Sequence, residues 1–134
     1  MPPVIVAAAV IERDGRVLLT RRMKGSHLAG TWEFPGGKLE DGEGPAAAVV
    51  RECMEECGIA IEARDVLDVT FHRYPEKDVL LLFYECALLG GEVAHLGVAD
   101  HVWCAPDELD RYPLPPADVG VVEKIKQRAR ARGA

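Results

Sequence analysis

GGKLEDGEGPAAAVVRECMEECGI, residues 36–59, is the stretch that decides the fold, because it joins a glycine-rich acidic loop to a helix with start and stop signals. Gly44 is a permissive N-cap residue, and Pro45 suits the first helical position. The residues that follow are mostly good helix formers, and Gly58 is suited to end the helix. The sequence therefore predicts a loop followed by a helix that begins at Pro45 and ends before Gly58.

Three glutamates, Glu52, Glu55 and Glu56, crowd one side of this helix. At about 100° per residue they form a stripe beside a separate apolar face. Like charges three and four positions apart repel one another by tenths of a kcal/mol per pair, so a bound cation would offset the repulsion. Carboxylates on one turn suit a hard divalent cation, Mg²⁺ or Mn²⁺. The apolar face is predicted to consist of Ala46, Val49, Val50, Cys53 and Cys57.

Four further residues of the stretch suit the same site. Arg51 is a fixed cation at the edge of the acidic cluster, and Glu43 is the loop carboxylate best suited to pair with it. Such a pair would hold the loop against the helix. Gly37 allows a backbone carbonyl to turn toward a metal ion, and Lys38 can reach a phosphate oxygen.

Apolar runs, turn residues and one further helical pattern organise the rest of the chain. Asp14-Gly15 separates two apolar strands and is a strong hairpin signal. Strands interleave with two helices, which predicts an α+β fold built on a mixed sheet. The predicted strands are residues 4–11, 17–21, 33–35, 66–74, 78–89 and 101–105; a helical turn covers residues 106–109, and the final helix covers residues 117–130 with Val119, Val122 and Ile125 as its core stripe.

Composition and charge narrow the function classes. At 134 residues with 49% hydrophobic residues, the chain is long enough for one domain with a substantial core. The net charge of −6 argues against a nucleic-acid polymer as partner, so a polyanionic substrate would need a cation between it and the protein. The N-terminal apolar run is far below the roughly 20 residues of a membrane span and follows no basic segment. We therefore expect no anchor and no signal peptide, and a cytoplasmic location.

The four cysteines do not form a metal or disulfide pattern. They include no CxxC pair and no accompanying histidine ladder. Buried reduced thiols, which pack as small apolar side chains, are therefore predicted for Cys53, Cys57, Cys86 and Cys104.

The opening stretch also resembles a known family signature. Gly37, five residues, Glu43, seven residues and then residues 51–59 match the Nudix box at all seven of its fixed positions. Average residue usage gives such a match a chance on the order of 10⁻⁹ to 10⁻⁸. The resemblance extends to VAAAVIERDGRVLLTRR, GTWEFPGGKLEDGE and VWCAPDEL…YPLPPADV, and the last segment is most similar to the CTP pyrophosphohydrolase branch. The chain thus resembles the small MutT-like Nudix hydrolases, which sanitise nucleotide pools.

This resemblance implies a single Nudix domain over residues 1–134, folded as an α/β/α sandwich with a mixed sheet. It implies Mg²⁺-dependent hydrolysis of a cytidine-type or oxidised-guanine triphosphate, such as CTP or 8-oxo-dGTP, to the monophosphate and pyrophosphate, with Mn²⁺ as the alternative ion. By position, the implied metal ligands are Glu52, Glu55, Glu56 and the Gly37 carbonyl. The implied catalytic set is Glu52, Glu55, Arg51 and Glu43. Glu52 resembles the residue most often proposed as the base, a role on which related enzymes differ.

One departure from the family pattern concerns an additional metal-binding glutamate. MutT-like enzymes carry it six residues before the tryptophan that is Trp103 here, where this chain has Gly97. Asp100, His95 and Glu92 in the same loop are alternatives for that ligand. The number of metal ions and the identity of the base therefore stay open.

The resemblance also implies a nucleobase pocket formed by Arg22, Tyr74 and Asp118. Tyr74 would stack on the base; the alternative is an ordinary aromatic residue packed in the core. Asp118 is also suited to cap the last helix. An ionised carboxylate only accepts hydrogen bonds, so Asp118 favours the exocyclic amine of cytosine or adenine, or the ring N–H groups of an oxidised guanine. Unmodified thymine and uracil are disfavoured.

Two other functions stay open. A nucleotide-sugar or dinucleoside pyrophosphatase would cut an internal diphosphate with the same box, although such enzymes usually carry additional segments. A non-catalytic nucleotide-binding module would normally lack a box carboxylate, and all are present here. We expect a small-molecule nucleotide as partner, no nucleic-acid polymer, no membrane, and a monomer or homodimer. His27 and His72 are interpreted as incidental polar residues near the pocket.

Overall fold

The computed structural model of this chain describes residues 2–26 and 28–133, so the interpretation of His27 lies outside the described residues. Within these ranges no helix has the length and hydropathy that a membrane crossing requires. Short 3₁₀ turns cover Pro106–Arg111 and Pro116–Asp118. The other elements are β1 (Val4–Arg13), β2 (Arg16–Arg21), β3 (Trp32–Glu33), β4 (Gly36–Lys38), α1 (Pro45–Cys57), β5 (Ala60–Arg73), β6 (Asp78–Gly90), β7 (Asp100–Cys104) and α2 (Val119–Gly133).

The strands form one mixed sheet, as predicted. Its order is β3-β2-β1-β6-β5, with β4 paired to β1 and β7 paired to β2. β1 and β6 run parallel, whereas the other pairs are antiparallel. Between β1 and β2, Asp14 and Gly15 both have positive φ, which is the geometry of a two-residue type I′ hairpin turn.

β1 contributes side chains to both faces of the sheet. Because successive side chains of a strand point to opposite faces, Ala7 and Ala9 enter one hydrophobic cluster, while Ala8 and Val10 enter another. The first cluster contains the buried side of α1, and the second contains the buried side of α2. The sheet therefore lies between two helices, which confirms the predicted α/β/α sandwich.

Two details of the predicted apolar faces are wrong. On α1, Ala46 and Val50 are exposed, because the helix turns its Ala48 side toward the sheet. On α2, Val119 is 65% exposed. The preceding residues form a separate 3₁₀ turn, so Val119 begins the α-helix on its solvent side. The buried residues of α2 are Val121, Val122 and Ile125.

Several strand ends differ from the prediction by one or two residues, and two of the predicted strands differ by more. β5 begins at Ala60 rather than at residue 66, and its pairing with β6 shifts register between Ala63 and Val66. This irregularity interrupts the alternation on which the prediction depended. The single strand predicted over residues 33–35 is instead divided into β3 and β4, and β4 contains both glycines.

The four cysteines are free and buried, as predicted for reduced thiols. Burial raises the pKa of Cys57 and Cys86 to about 12 and that of Cys104 to about 11. It also raises the pKa of Cys53. The thiols therefore remain protonated at neutral pH and pack as apolar side chains.

Candidate active site

A cleft of about 600 Å³ is bounded by β4, one side of α1 and the residues before α2. Among the described residues that the sequence predicted for the site, Glu43 and Glu55 do not line the cleft, and both contact Arg51 instead. The other predicted residues all line it: Arg22, Gly37, Lys38, Arg51, Glu52, Glu56, Tyr74 and Asp118. Residues that lie far apart in the sequence thus share one concave surface.

Arg51 holds the loop, β4 and α1 together through its guanidinium group. Its Nε and Nη2 donate to the two carboxylate oxygens of Glu43 at 2.8 and 2.9 Å, so the two residues pair as predicted and do so in bidentate geometry. Its Nη1 donates to Glu52 at 2.7 Å and to Glu55 at 3.2 Å, and Nη2 donates to the Lys38 carbonyl oxygen at 3.2 Å. The hydrogen bonds from Arg51 are the main reason that the pKa of Glu43 falls to about 2, so this carboxylate stays ionised at neutral pH.

The carboxylate of Glu52 lies directly against the backbone of Gly37. A Cβ atom placed on Gly37 would lie 2.7 Å from Cδ of Glu52 and 2.8 and 2.9 Å from its two oxygens. Such distances are shorter than van der Waals contact, so residue 37 must lack a side chain if Glu52 is to keep this position. The Glu52 carboxylate is therefore confined between the Gly37 backbone and the Arg51 guanidinium.

Three carboxyl groups, those of Glu33, Glu52 and Glu56, interact within the cleft. Burial, a hydrogen bond with Glu52 and the charge of Glu52 together raise the pKa of Glu56 well above its ordinary value. Burial also raises the pKa of Glu33, and this rise is opposed by Arg22, whose Nη1 donates to Glu33 at 2.8 Å. Without a cation, burial and repulsion from Glu52 therefore favour the protonated form of Glu56. An all-oxygen cluster of this kind is the donor set that a hard divalent cation prefers.

Glu33 was not found from the sequence. It lies in the two-residue strand β3, and no local spacing relates it to the glutamates of α1. Its position three residues before Gly36, within the stretch GTWEFPGGK, is the signal that could have indicated it. Glu33 is a fourth candidate carboxylate beside the three of the box.

Gly97, the position of the family's additional glutamate, lines the cleft. Its N–H donates to the Glu56 carbonyl oxygen at 2.9 Å, and a Cβ atom placed on it would lie 3.3 Å from Cγ of Glu56. His95, Asp100 and Glu92, the alternatives suggested from sequence for that ligand, are not among the described residues that line the cleft. Outside the box, Glu33 and Asp118 are described carboxyl residues that line the cleft, and Glu33 is the one that interacts with Glu52 and Glu56.

Asp118 and Tyr74, which the sequence predicted for a nucleobase pocket, both line the cleft. Asp118 is 4% exposed, and burial together with the charge of Glu33 raises its pKa to about 7. Asp118 directly precedes α2, a position that also suits a capping residue. It lines the cleft as well. Tyr74 follows β5 and is half-buried, with its ring 4.5 Å from that of His72. Tyr74 belongs to neither hydrophobic cluster of the described residues. The alternative that it is an ordinary aromatic residue of the core therefore does not apply.

Asp118→Asn is expected to make the protein more stable at pH 8 and to leave its stability nearly unchanged at pH 4. The folded protein retains the Asp118 proton up to about pH 7, while the unfolded chain releases it near pH 4. Wild-type stability therefore declines between these pH values, by roughly 1 to 4 kcal/mol in total. Thermal melts of both proteins from pH 4 to pH 8 measure the difference. Asp65→Asn at an exposed position is the control, and a difference independent of pH would contradict the assigned titration.

Comparison with known families matches residues 6–124 to the model of the NUDIX domain. The chain is 36% identical to the CTP pyrophosphohydrolase of Escherichia coli strain K12, over all of this chain and 99% of that protein. It is 32% identical to the 8-oxo-dGTP diphosphatase of the same strain, over 91% of this chain and 95% of that protein. The solution structure of the E. coli ORF135 protein superposes with a TM-score of 0.84 at 35% identity, covering all of this chain and 96% of that one.

Proposed function

The chain belongs to the NUDIX domain family, and from this premise we propose that it hydrolyses nucleoside triphosphates to the monophosphate and pyrophosphate. The main support for this proposal is that one cleft combines carboxyl groups suited to a cation with residues suited to a nucleobase. The carboxyl groups of Glu52 and Glu56 on α1, with that of Glu33 beside them, suit a divalent cation. Asp118 and Tyr74 provide an acceptor and an aromatic ring for a base. The full-length similarity to a CTP pyrophosphohydrolase and to an 8-oxo-dGTP diphosphatase supports the same reaction.

Hydrolases of this family generally need a divalent metal cation, and we propose Mg²⁺ for this chain, with Mn²⁺ as the alternative. Glu52, Glu55, Glu56 and the Gly37 carbonyl are the proposed ligands. The fit rests on the donor chemistry: Glu52 and Glu56 provide neighbouring carboxyl oxygens, and a bound cation would displace the proton that burial and Glu52 favour on Glu56. When bound, such a cation neutralises phosphate charge and lowers the pKa of a bound water.

The remaining roles belong to side chains of the protein itself. Arg51 positions Glu52 and Glu55 by donating to both, and its pair with Glu43 fixes the loop that follows Lys38, the last residue of β4. Arg51 holds the Glu52 carboxylate in place, and this carboxylate is the proposed acceptor of the proton from the attacking water. The water oxygen forms a bond to phosphorus as the bridging P–O bond breaks, and pyrophosphate leaves. Lys38 would neutralise charge on the phosphate chain.

Asp118 is the proposed determinant of base choice. Its pKa of about 7 means that both the acceptor and the donor form are present near neutral pH. The ionised form accepts a hydrogen bond from the exocyclic amine of cytosine or from a ring N–H of oxidised guanine. Arg22, which is paired with Glu33, and Tyr74 complete the proposed pocket. We propose cytidine-type triphosphates, modified or not, and oxidised-guanine triphosphates as the substrate class, handled in the cytoplasm as free nucleotides.

Product analysis across a substrate panel tests this proposal: monophosphate and pyrophosphate are quantified for the triphosphates, and AMP is quantified for ADP-ribose, whose hydrolysis releases no pyrophosphate. The panel contains CTP, dCTP, 5-methyl-dCTP, 5-hydroxy-dCTP, dGTP, 8-oxo-dGTP and ADP-ribose, each assayed with Mg²⁺ for kcat/KM. We expect the highest values for a cytidine-type or oxidised-guanine triphosphate, and Asp118→Ala should reduce that preference. Turnover of ADP-ribose alone would indicate a pyrophosphatase of internal diphosphates, and binding without turnover would indicate a non-catalytic module.

Gly37→Ala is expected to lower kcat/KM by roughly 10- to 100-fold with little change in Tm. The added Cβ would overlap the Glu52 carboxylate, which is the far end of a flexible side chain and can move at small cost to stability. A displacement of about 1 Å in a catalytic group is enough for a loss of this size. Gly90→Ala, where a Cβ meets no atom within 4 Å, is the matched control. Wild-type activity in Gly37→Ala would show that the position of Glu52 is not critical.

A further inference from the structure

Three side chains outside the cleft bring metal-binding atoms close together. One ring nitrogen of His95, one of His101 and one carboxylate oxygen of Asp100 all lie within 4.8 Å of one another. Nε2 of His95 is 2.8 Å from Nδ1 of His101 and 4.0 Å from Oδ1 of Asp100. These residues are exposed or half-buried, so an ion in solution can reach them directly.

The donor set is different from that of the cleft. Two imidazoles and one carboxylate suit zinc and related transition metals, whereas magnesium prefers an all-oxygen shell. Tetrahedral zinc with bonds of about 2.0–2.1 Å places its ligand atoms roughly 3.3 Å apart. The observed separations lie on either side of this value, so small side-chain movements would bring the three atoms to one ion, with water as a fourth ligand.

The backbone holds the three residues in place before any ion arrives. Asp100 and His101 lie on β7, which pairs with β2, and Oδ1 of Asp100 accepts a hydrogen bond from the His101 N–H at 2.8 Å. The residues on either side of His95 are fixed as well. The N–H of Ala94 donates to Cys57 at 2.9 Å, and that of Leu96 donates to Glu56 at 3.1 Å, both at carbonyl oxygens of the last turn of α1.

We propose that His95, Asp100 and His101 form a second metal site, selective for zinc-class divalent ions and separate from the site in the cleft. An ion bound there ties the loop between β6 and β7 to β7 itself. Through the hydrogen bonds of Ala94 and Leu96, it also stabilises the end of α1. Zinc binding at this site does not depend on the hydrolytic activity proposed for the cleft.

Calorimetric titration with ZnCl₂, in buffer with excess Mg²⁺ to compete at the carboxylate cluster, tests the site on the full chain. We expect one zinc equivalent for wild type and an increase in Tm upon zinc addition. His95→Gln, His101→Gln and Asp100→Asn should each weaken zinc binding by at least tenfold. His72→Gln, a histidine outside the cluster, and Glu56→Gln, in the cleft, should both retain it.

Direct observation of the imidazoles keeps the test valid if a variant fails to fold. In ¹⁵N-labelled wild type, zinc should shift the resonances of Nε2 of His95 and Nδ1 of His101, while an equal concentration of Mg²⁺ should not. No zinc uptake, or zinc binding that is lost in Glu56→Gln but kept in His95→Gln, would overturn the proposal. In that case the two rings form only a hydrogen-bonded pair.

Discussion

Glu56→Gln is expected to lower kcat/KM for the preferred triphosphate by on the order of 10²- to 10⁴-fold while Tm stays close to the wild-type value. Burial and the neighbouring Glu52 keep a proton on Glu56 in the metal-free protein. Glutamine has the shape and neutral charge of that protonated form, so the fold does not lose a contact. It cannot release a proton, however, and so cannot become the carboxylate ligand that the cation requires.

kcat/KM is obtained from steady-state rates over a range of Mg²⁺ concentrations, and Tm is measured on the same samples. The control is Glu62→Gln, because this glutamate lies on β5 with a 54% exposed side chain and pairs with Arg64. It should change neither rate nor Tm. Near-normal activity in Glu56→Gln would remove Glu56 from the proposed ligands, and equal losses of activity and folding would show that its role is structural.

Gly36→Ala is expected to destabilise the protein by more than about 3 kcal/mol, the largest stability effect that we expect for a single substitution. A Cβ atom on Gly36 would overlap the Ala7 carbonyl oxygen and lie 2.6 Å from Cα of Ala8. Both are backbone atoms of the central strand, so no side-chain rotation can relieve the overlap. β4 would have to separate from β1 at the position where Gly36 pairs with Ala8.

Urea unfolding followed by circular dichroism measures this loss. Gly90→Ala changes the same residue type where the added methyl meets no neighbour within 4 Å, and its effect should stay within about 0.5 kcal/mol. A small effect of Gly36→Ala would mean that β4 can shift away from β1 at little cost. Comparison with Gly37→Ala separates the two glycines, because the first substitution should affect folding and the second the position of Glu52.

The parts of the fold with local causes were predictable from sequence. Gly44, Pro45 and Gly58 act within a turn of the residues they cap, and α1 has the bounds that they indicate, with Gly58 in the left-handed conformation. The Asp14-Gly15 turn is equally local. The buried side of a helix depends instead on how the helix rotates against the sheet, which explains the errors at Val50 and Val119.

The candidate site likewise contains contacts that were predictable from sequence and contacts that depend on tertiary packing. Arg51 and Glu43 belong to one motif, and their pairing followed from their charge and spacing. Glu33 reaches the glutamates of α1 only after β3 has paired with β2, so no short pattern relates them. The backbone contact of Gly97 with Glu56 is likewise a tertiary one. Sequence reasoning thus found the residues of the box and missed the carboxylate that a distant strand brings to it.

β1 contributes to both hydrophobic clusters and pairs with β2, β4 and β6. Neither helix therefore has a complete core without it, and opening one face of the sheet removes the support of the other. The amide hydrogens of β1 should exchange with deuterium only when the whole protein unfolds. A nucleotide bound in the cleft should then slow exchange by the same factor for the β1 amides of residues packed toward α1 and of residues packed toward α2.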